Sequence, residues 1–131
     1  MLADGIVEIE TNVKNEKKIQ YRITLRGKQE LEKWLLEETE LQPVRSEFML
    51  KLLFSSNQPR ENVIQILEKY KKIHTKKLEK YLLMQSDLEK GIEEISSERV
   101  RFVRATLRSG ILSCEATISW CDETIEEMMN F

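Results

Sequence analysis

Residues 100–128 read VRFVRATLRSGILSCEATISWCDETIEEM. Apolar side chains fall at Val100, Val103, Leu107, Ile111, Cys114, Ile118, Cys121, Ile125 and Met128, in steps of three and four. That period gathers them on one side of an α-helix. Ser96-Ser97-Glu98, just upstream, supplies a break and a capping signal. A helix of about 30 residues is roughly 45 Å long, far longer than the usual helix of a compact domain. A seam of that length needs an equally long partner.

The partner lies upstream. Val63, Leu67, Tyr70, His74, Leu78, Tyr81, Gln85, Leu88, Ile92 and Ile95 repeat the pattern, with one extra step of four near His74. Such a heptad-like run with a single stutter predicts a second long helix. Pro59 suits its first position and Glu61 its first turn, and Gly91 is the only strong breaker before Ile95. Two such helices predict an antiparallel pair. Phe102, Ala105, Trp120 and Met129 lie beside the second seam and widen it. An isolated pair leaves that apolar face wet, so a second copy of the chain is expected to cover it. The expected dimer interface comprises Val103, Leu107, Gly110, Ile111, Cys114, Ile118, Trp120 and Cys121. Gly110 costs about 1 kcal/mol against alanine in a helix and reads as a point where another backbone approaches closely.

The front of the chain follows a different period. Ile6 to Thr11, and Ile19, Tyr21 and Ile23 between polar neighbours, alternate as two strands around a polar loop, which predicts a β-hairpin. Gly5 is placed as a helix C-cap, and Thr24 as the N-cap of a helix carrying Leu31, Trp34 and Leu35 to about Glu38 or Thr39. After Pro43 comes a short helix, Phe48 to Phe54, apolar nearly all round and so expected to be buried on most sides. Domain boundaries are expected at 1–40 and 41–131.

Four Gly and two Pro leave little material for turns, which argues against an all-β fold. No stretch has the roughly 18 apolar residues of a membrane span, and the start lacks the pattern of a secretion signal, so a cytoplasmic location is expected. Net charge is −2, so bulk charge gives no argument for nucleic acid. The distribution is uneven: residues 14–28 hold six basic side chains and one acid, while 112–131 hold five acids and no Lys or Arg. Cys114 and Cys121 are seven residues apart on one helix, about 10 Å along its axis, too far to bridge and too few for structural zinc. They read as small buried hydrophobes.

No Ser-His-Asp or Cys-His set and no phosphate-cradling glycine loop is visible, so no catalysis and no cofactor are expected. His74, the sole histidine, is either a pH-sensitive group or a polar residue tolerated at the stutter. Tyr70, His74 and Trp120 are candidates for a small-molecule pocket between the helices, against the simpler reading of aromatic core. The basic loop is either plain surface or a contact to phosphates.

The stretch Leu2-Ala3-Asp4-Gly5-Ile6-Val7-Glu8, followed by Tyr21-Arg22-Ile23-Thr24-Leu25-Arg26-Gly27-Lys28-Gln29-Glu30-Leu31 and Trp34-Leu35, resembles the second half of a PadR-family winged helix-turn-helix domain. Residues 44–54, Thr106-Leu107-Arg108-Ser109-Gly110-Ile111 and Trp120 resemble the helical C-terminal domain, of the virulence-activator type, in the same family. The resemblance implies a mainly α fold: a partial winged-helix β-hairpin, then a helical domain with two long antiparallel helices, paired as a dimer. It implies a bacterial transcriptional regulator whose wing, here Lys14, Lys17, Lys18 and Arg22, lies against the DNA backbone. The turn reads Lys14-Asn15-Glu16-Lys17-Lys18 where the family commonly has a Gly-Arg-Pro type. The chain opens at the end of the recognition helix, so base-specific binding is not expected of it alone, whether it is a fragment or a shortened paralogue. Its expected partners are a second copy, a full-length relative with which it heterodimerises, or DNA backbone through the wing, with no membrane. A small-molecule-sensing helical domain is the other alternative.

Overall fold

The computed structural model describes residues 5, 7–9, 21–43, 46–91 and 95–130. The chain divides into two compact units, Met1–Arg45 and Ser46–Phe131.

In the first unit, β1 (Val7–Ile9) and β2 (Tyr21–Ile23) pair antiparallel, with Val7 opposite Ile23, Glu8 opposite Arg22 and Ile9 opposite Tyr21. Helix α1 (Leu25–Leu36) follows at once. Thr24 makes the junction: its hydroxyl accepts from the Gly27 N–H at 3.0 Å and donates to the Gly5 carbonyl at 2.6 Å. The expected N-cap is therefore present and also ties the helix start to the entry of β1. Gly5 has φ +68°, the left-handed conformation suited to a C-cap, but the residues before it lie outside the described set. Helix α1 stops two or three residues before its expected end. Glu37 turns to extended backbone, and Glu37, Glu38 and Glu40 would otherwise crowd carboxylates at the negative end of the helix dipole.

The second unit opens with α2 (Glu47–Leu53), capped by Ser46, whose hydroxyl oxygen accepts from the Met49 N–H at 3.2 Å. None of its residues is buried, where burial on most sides was expected. Only the side carrying Phe48 and Leu52 is half-covered, because a single chain offers α2 one neighbouring surface.

Helices α3 (Arg60–Glu89) and α4 (Ser97–Met129) run to 30 and 33 residues. Helix α3 ends at Gly91 (φ +69°) rather than Ile95: the left-handed glycine lets its N–H turn back to the Leu88 carbonyl at 3.2 Å and stops the helix. Ser96 caps α4, its hydroxyl oxygen accepting from the Arg99 N–H at 3.3 Å.

Four contacts fix α3 and α4 as an antiparallel pair. Arg60 donates to the Met129 carbonyl at 3.3 Å, Lys71 meets Asp122 at 2.5 Å, Tyr81 lies on Gly110, and Arg104 donates to Glu89 at 2.8 Å. The two residue numbers of each pair sum to nearly the same value, as an antiparallel register requires. Both seams face inward, and every described residue of either seam is buried or half-buried. The fully covered centre is small: Val63, Leu67, Ile111, Cys114 and Cys121. Both cysteines are free thiols within it.

Candidate functional site

The richest cluster of side chains lies where α2 meets the helix pair. Phe48 stacks on Tyr70 with ring centroids 3.8 Å apart and planes 4° from parallel. It also meets Trp120 edge-on at 6.2 Å and 86°, and Tyr70 meets His74 at 4.5 Å and 67°. The structure thus gathers Tyr70, His74 and Trp120, with Phe48 as the element that joins them. Sequence reading placed Phe48 only on a uniformly apolar helix. The pairing of Phe48 with Leu52 one turn later was the available signal for its inner face. Each aromatic pair adds about 0.5–1.5 kcal/mol beyond burial, enough to seat a seven-residue helix that is too short to hold itself.

Burial holds the His74 pKa below the usual imidazole value, and the nearby Lys77 ammonium lowers it further. The group therefore sits in the cluster as a neutral ring. A flat ligand could reach the covered face of Tyr70 only by displacing Phe48. At the C-terminal end of α2, Leu52, Leu53, Val63 and Met128 wall a cleft of about 410 Å³ bordered by Ser55, Ser56, Gln58 and Arg60. No sequence pattern announced it, because it is made by the turn between α2 and α3.

Elsewhere along the pair, Asp122 accepts a hydrogen bond from Lys71 and raises its pKa. Burial raises the Cys121 thiol, with Asp122 adding to it, so this sulfur stays protonated. Among the described residues, no group of three His, Cys, Asp or Glu side chains is placed to hold a metal ion.

The residues expected at a dimer interface have these places within one chain. Ile111, Cys114 and Cys121 are buried within one chain, and Val103, Leu107 and Ile118 are half-buried on the same inward seam. Gly110 faces the Tyr81 ring: a Cβ there would lie 2.8 Å from a ring carbon. Trp120 meets Phe48. The most apolar side of α4 is thus taken by α3, the nearest partner available in sequence. Of the wing residues, Arg22 is exposed on β2 opposite Glu8, and Lys14, Lys17 and Lys18 lie outside the described residues.

In a comparison with protein families, residues 44–129 fit the family described as virulence activator alpha C-term. The chain belongs to that family. The matched segment spans all of α2, α3 and α4, so the aromatic cluster, the cleft and both seams are features of its virulence activator alpha C-terminal part.

Solved structures extend the likeness over nearly the whole chain. The Vibrio cholerae virulence activator AphA is 26% identical, with 98% of this chain and 71% of AphA covered and a TM-score of 0.74. Bacillus subtilis PadR in complex with operator DNA is 23% identical, with 97% and 72% covered and a TM-score of 0.73. The same PadR in complex with p-coumaric acid is 22% identical, with 97% and 71% covered and a TM-score of 0.75. The resemblance to PadR-type regulators read from the sequence is therefore borne out, and the mainly α, winged-helix-related fold with it. A search of curated proteins finds no match. Among the described residues, no helix is long and apolar enough to cross a membrane.

Proposed function

We propose that this chain works as a PadR-type transcriptional regulator, with Ser46–Phe131 joining two copies and Met1–Arg45 supplying a wing against the DNA backbone. The observation that carries this reading is the family match over residues 44–129, on a fold shared with a PadR bound to operator DNA. The dimer is supported by the thin core of the helical unit. Leu53, Phe54 and Phe102 are 72%, 77% and 73% exposed, an apolar load that a second copy would cover.

Lys14, Lys17, Lys18 and Arg22 are the proposed backbone contacts, so DNA binding by these 131 residues is salt-sensitive and indifferent to sequence. Light scattering tests the first half: a particle of twice the 15.5 kDa protomer is expected at tens of micromolar. Fluorescence anisotropy with duplex DNA tests the second. Replacing the four cations with alanine should flatten the dependence of log K on log salt, by about 0.9 for each phosphate that is no longer neutralised. A monomer that ignores DNA would defeat the proposal. Nanomolar, site-specific binding would overturn the backbone-only part of it.

A second reading, small-molecule sensing, draws support from the cluster of Tyr70, His74 and Trp120 and from the PadR structure with p-coumaric acid. It requires Phe48 to move, so Phe48→Ala should strengthen binding of an aromatic acid in calorimetry. No heat with either protein would remove this reading.

A further inference from the structure

The outward side of α3 is strongly basic. Residues 69–80 hold six lysines and one acid, Glu79. Lys71 pairs with Asp122, and the Lys77 ammonium lies over the Tyr81 ring at 5.8 Å from its centroid. The other four, Lys69, Lys72, Lys76 and Lys80, follow one another in steps of three, four and four, and all are exposed. They stand in one row opposite the seam that α4 covers, about 16 Å long, with close to one cation per turn. Ile73 is the one apolar side chain within it. Glu68 and Glu79 flank the row, yet none of the four lysines enters an ion pair among the described residues. Like charges three and four apart destabilise a helix, so folding gives no reason for the row. The whole chain has net charge −2, so the row is a local concentration of cations and no share of a general excess.

We propose that this row is a second contact to duplex DNA, in which Lys69, Lys72, Lys76 and Lys80 each neutralise a backbone phosphate. A DNA strand carries one phosphate per roughly 3.4 Å of duplex axis, so a row of this length passes about five of them. The flexible four-carbon stem of each lysine lets its ammonium reach the nearest one, and such contacts carry no base information. Binding also relieves the repulsion within the row. Two other polyanions fit less well. An anionic membrane takes an amphipathic helix by its apolar side, and that side of α3 is covered by α4. An acidic helix of another protein needs an apolar seam beside its charges, and within the row only Ile73 offers one. The inference rests on the reading that this chain meets DNA, and it adds to the wing a separate contact on the helical unit.

Fluorescence anisotropy of the full chain with a labelled duplex of mixed sequence, at several salt concentrations, tests it. Lys69→Ala/Lys72→Ala/Lys76→Ala/Lys80→Ala should flatten the slope of log K against log salt by about 3.6, which is about 0.9 for each of four phosphates. Between about 50 and 200 mM salt, the parent's affinity should then fall about 150-fold more than the variant's. A control variant loses four exposed cations outside the row, Lys33, Lys51, Lys90 and Arg101, and has the same net charge. It should keep most of the parent slope. Alanine is a better helix former than lysine, and circular dichroism shows that each variant folds. The variant lacking the wing cations is read in parallel. A row variant with the parent's slope, where the wing variant's slope falls, overturns this inference and leaves the wing standing. A control that loses as much as the row variant points to bulk charge and overturns it too. If the row variant binds polyglutamate more weakly and duplex as before, the partner is an acidic protein and the DNA assignment fails. A parent that ignores duplex even at low salt overturns the row and the wing together.

Discussion

Replacing Gly110 with alanine sets two effects of known sign against each other. Alanine in a helix interior is favoured over glycine by about 1 kcal/mol, and Gly110 lies well inside α4. The new methyl, however, would meet the Tyr81 ring at 2.8, 3.2 and 3.3 Å from three of its carbons. Contacts that close force the ring aside, and the ring lies between two packed helices with the Lys77 ammonium 5.8 Å from its centroid. Overpacking of this kind costs about 1–3 kcal/mol. The expected balance is a net loss of about 1 kcal/mol, or about 4 °C in Tm for a unit of this size. Thermal unfolding by circular dichroism at fixed protein concentration reads it. The decisive measurement is the same substitution with Tyr81→Ala already in place. With the ring gone, only the propensity term remains, and Gly110→Ala should stabilise by about 1 kcal/mol. The sign should reverse between the two backgrounds. If Gly110→Ala is equally destabilising in both, or stabilises the parent by the full propensity, the ring contact is not what holds a glycine there.

Other perturbations have simpler expectations. Leu67 is fully buried at the centre of the pair, so Leu67→Ala should cost about 2–5 kcal/mol in urea unfolding. Ser96→Ala removes the acceptor for the Arg99 N–H and should cost about 1 kcal/mol by the same assay. His74 has its folded pKa lowered from 6.5 by burial and by Lys77, so the unfolded chain takes up its proton first as pH falls. The stability that a neutral His74 contributes is present above pH 6.5 and lost as pH falls through the folded value. The parent Tm should therefore drop from pH 7.5 to 5.5 more than that of His74→Gln, and parallel curves would count against the burial argument.

The long helices were legible because their signal is redundant. Nine residues of α4 and eight described residues of α3 repeat one period, and all are covered in the structure. The capping residues Thr24 and Ser96 were equally readable, since each needs only a hydroxyl at the start of a helical pattern. Helix ends were harder. The stop at Gly91 depends on a left-handed backbone that overrode the apolar pattern continuing to Ile95, and the early end of α1 on a run of carboxylates. The aromatic cluster was half legible: Tyr70, His74 and Trp120 were named, yet Phe48, on a different helix from any of them, is what unites them.

The two sides of α4 show why the best apolar face of a helix is the one a single chain covers first. Hydrophobic period ranks the faces of a helix by apolar content, and by that measure Ile111, Cys114 and Cys121 outrank Ala105, Ser109 and Ala116. A chain with two long seams joined by a short connection satisfies the stronger face within itself, because closing a short loop costs little entropy and a second molecule costs more. The strongest seam is therefore the one least available to a partner, and all three of its best residues are buried in a single chain. What stays exposed is the weaker face. Beside it the charges change sign along the helix, Arg101 and Arg108 before Glu115 and Asp122, where an average over the helix sees charges that cancel. An exposed face is thus read from sequence only after the best face has been assigned to the interior, and from the order of its charges rather than their mean.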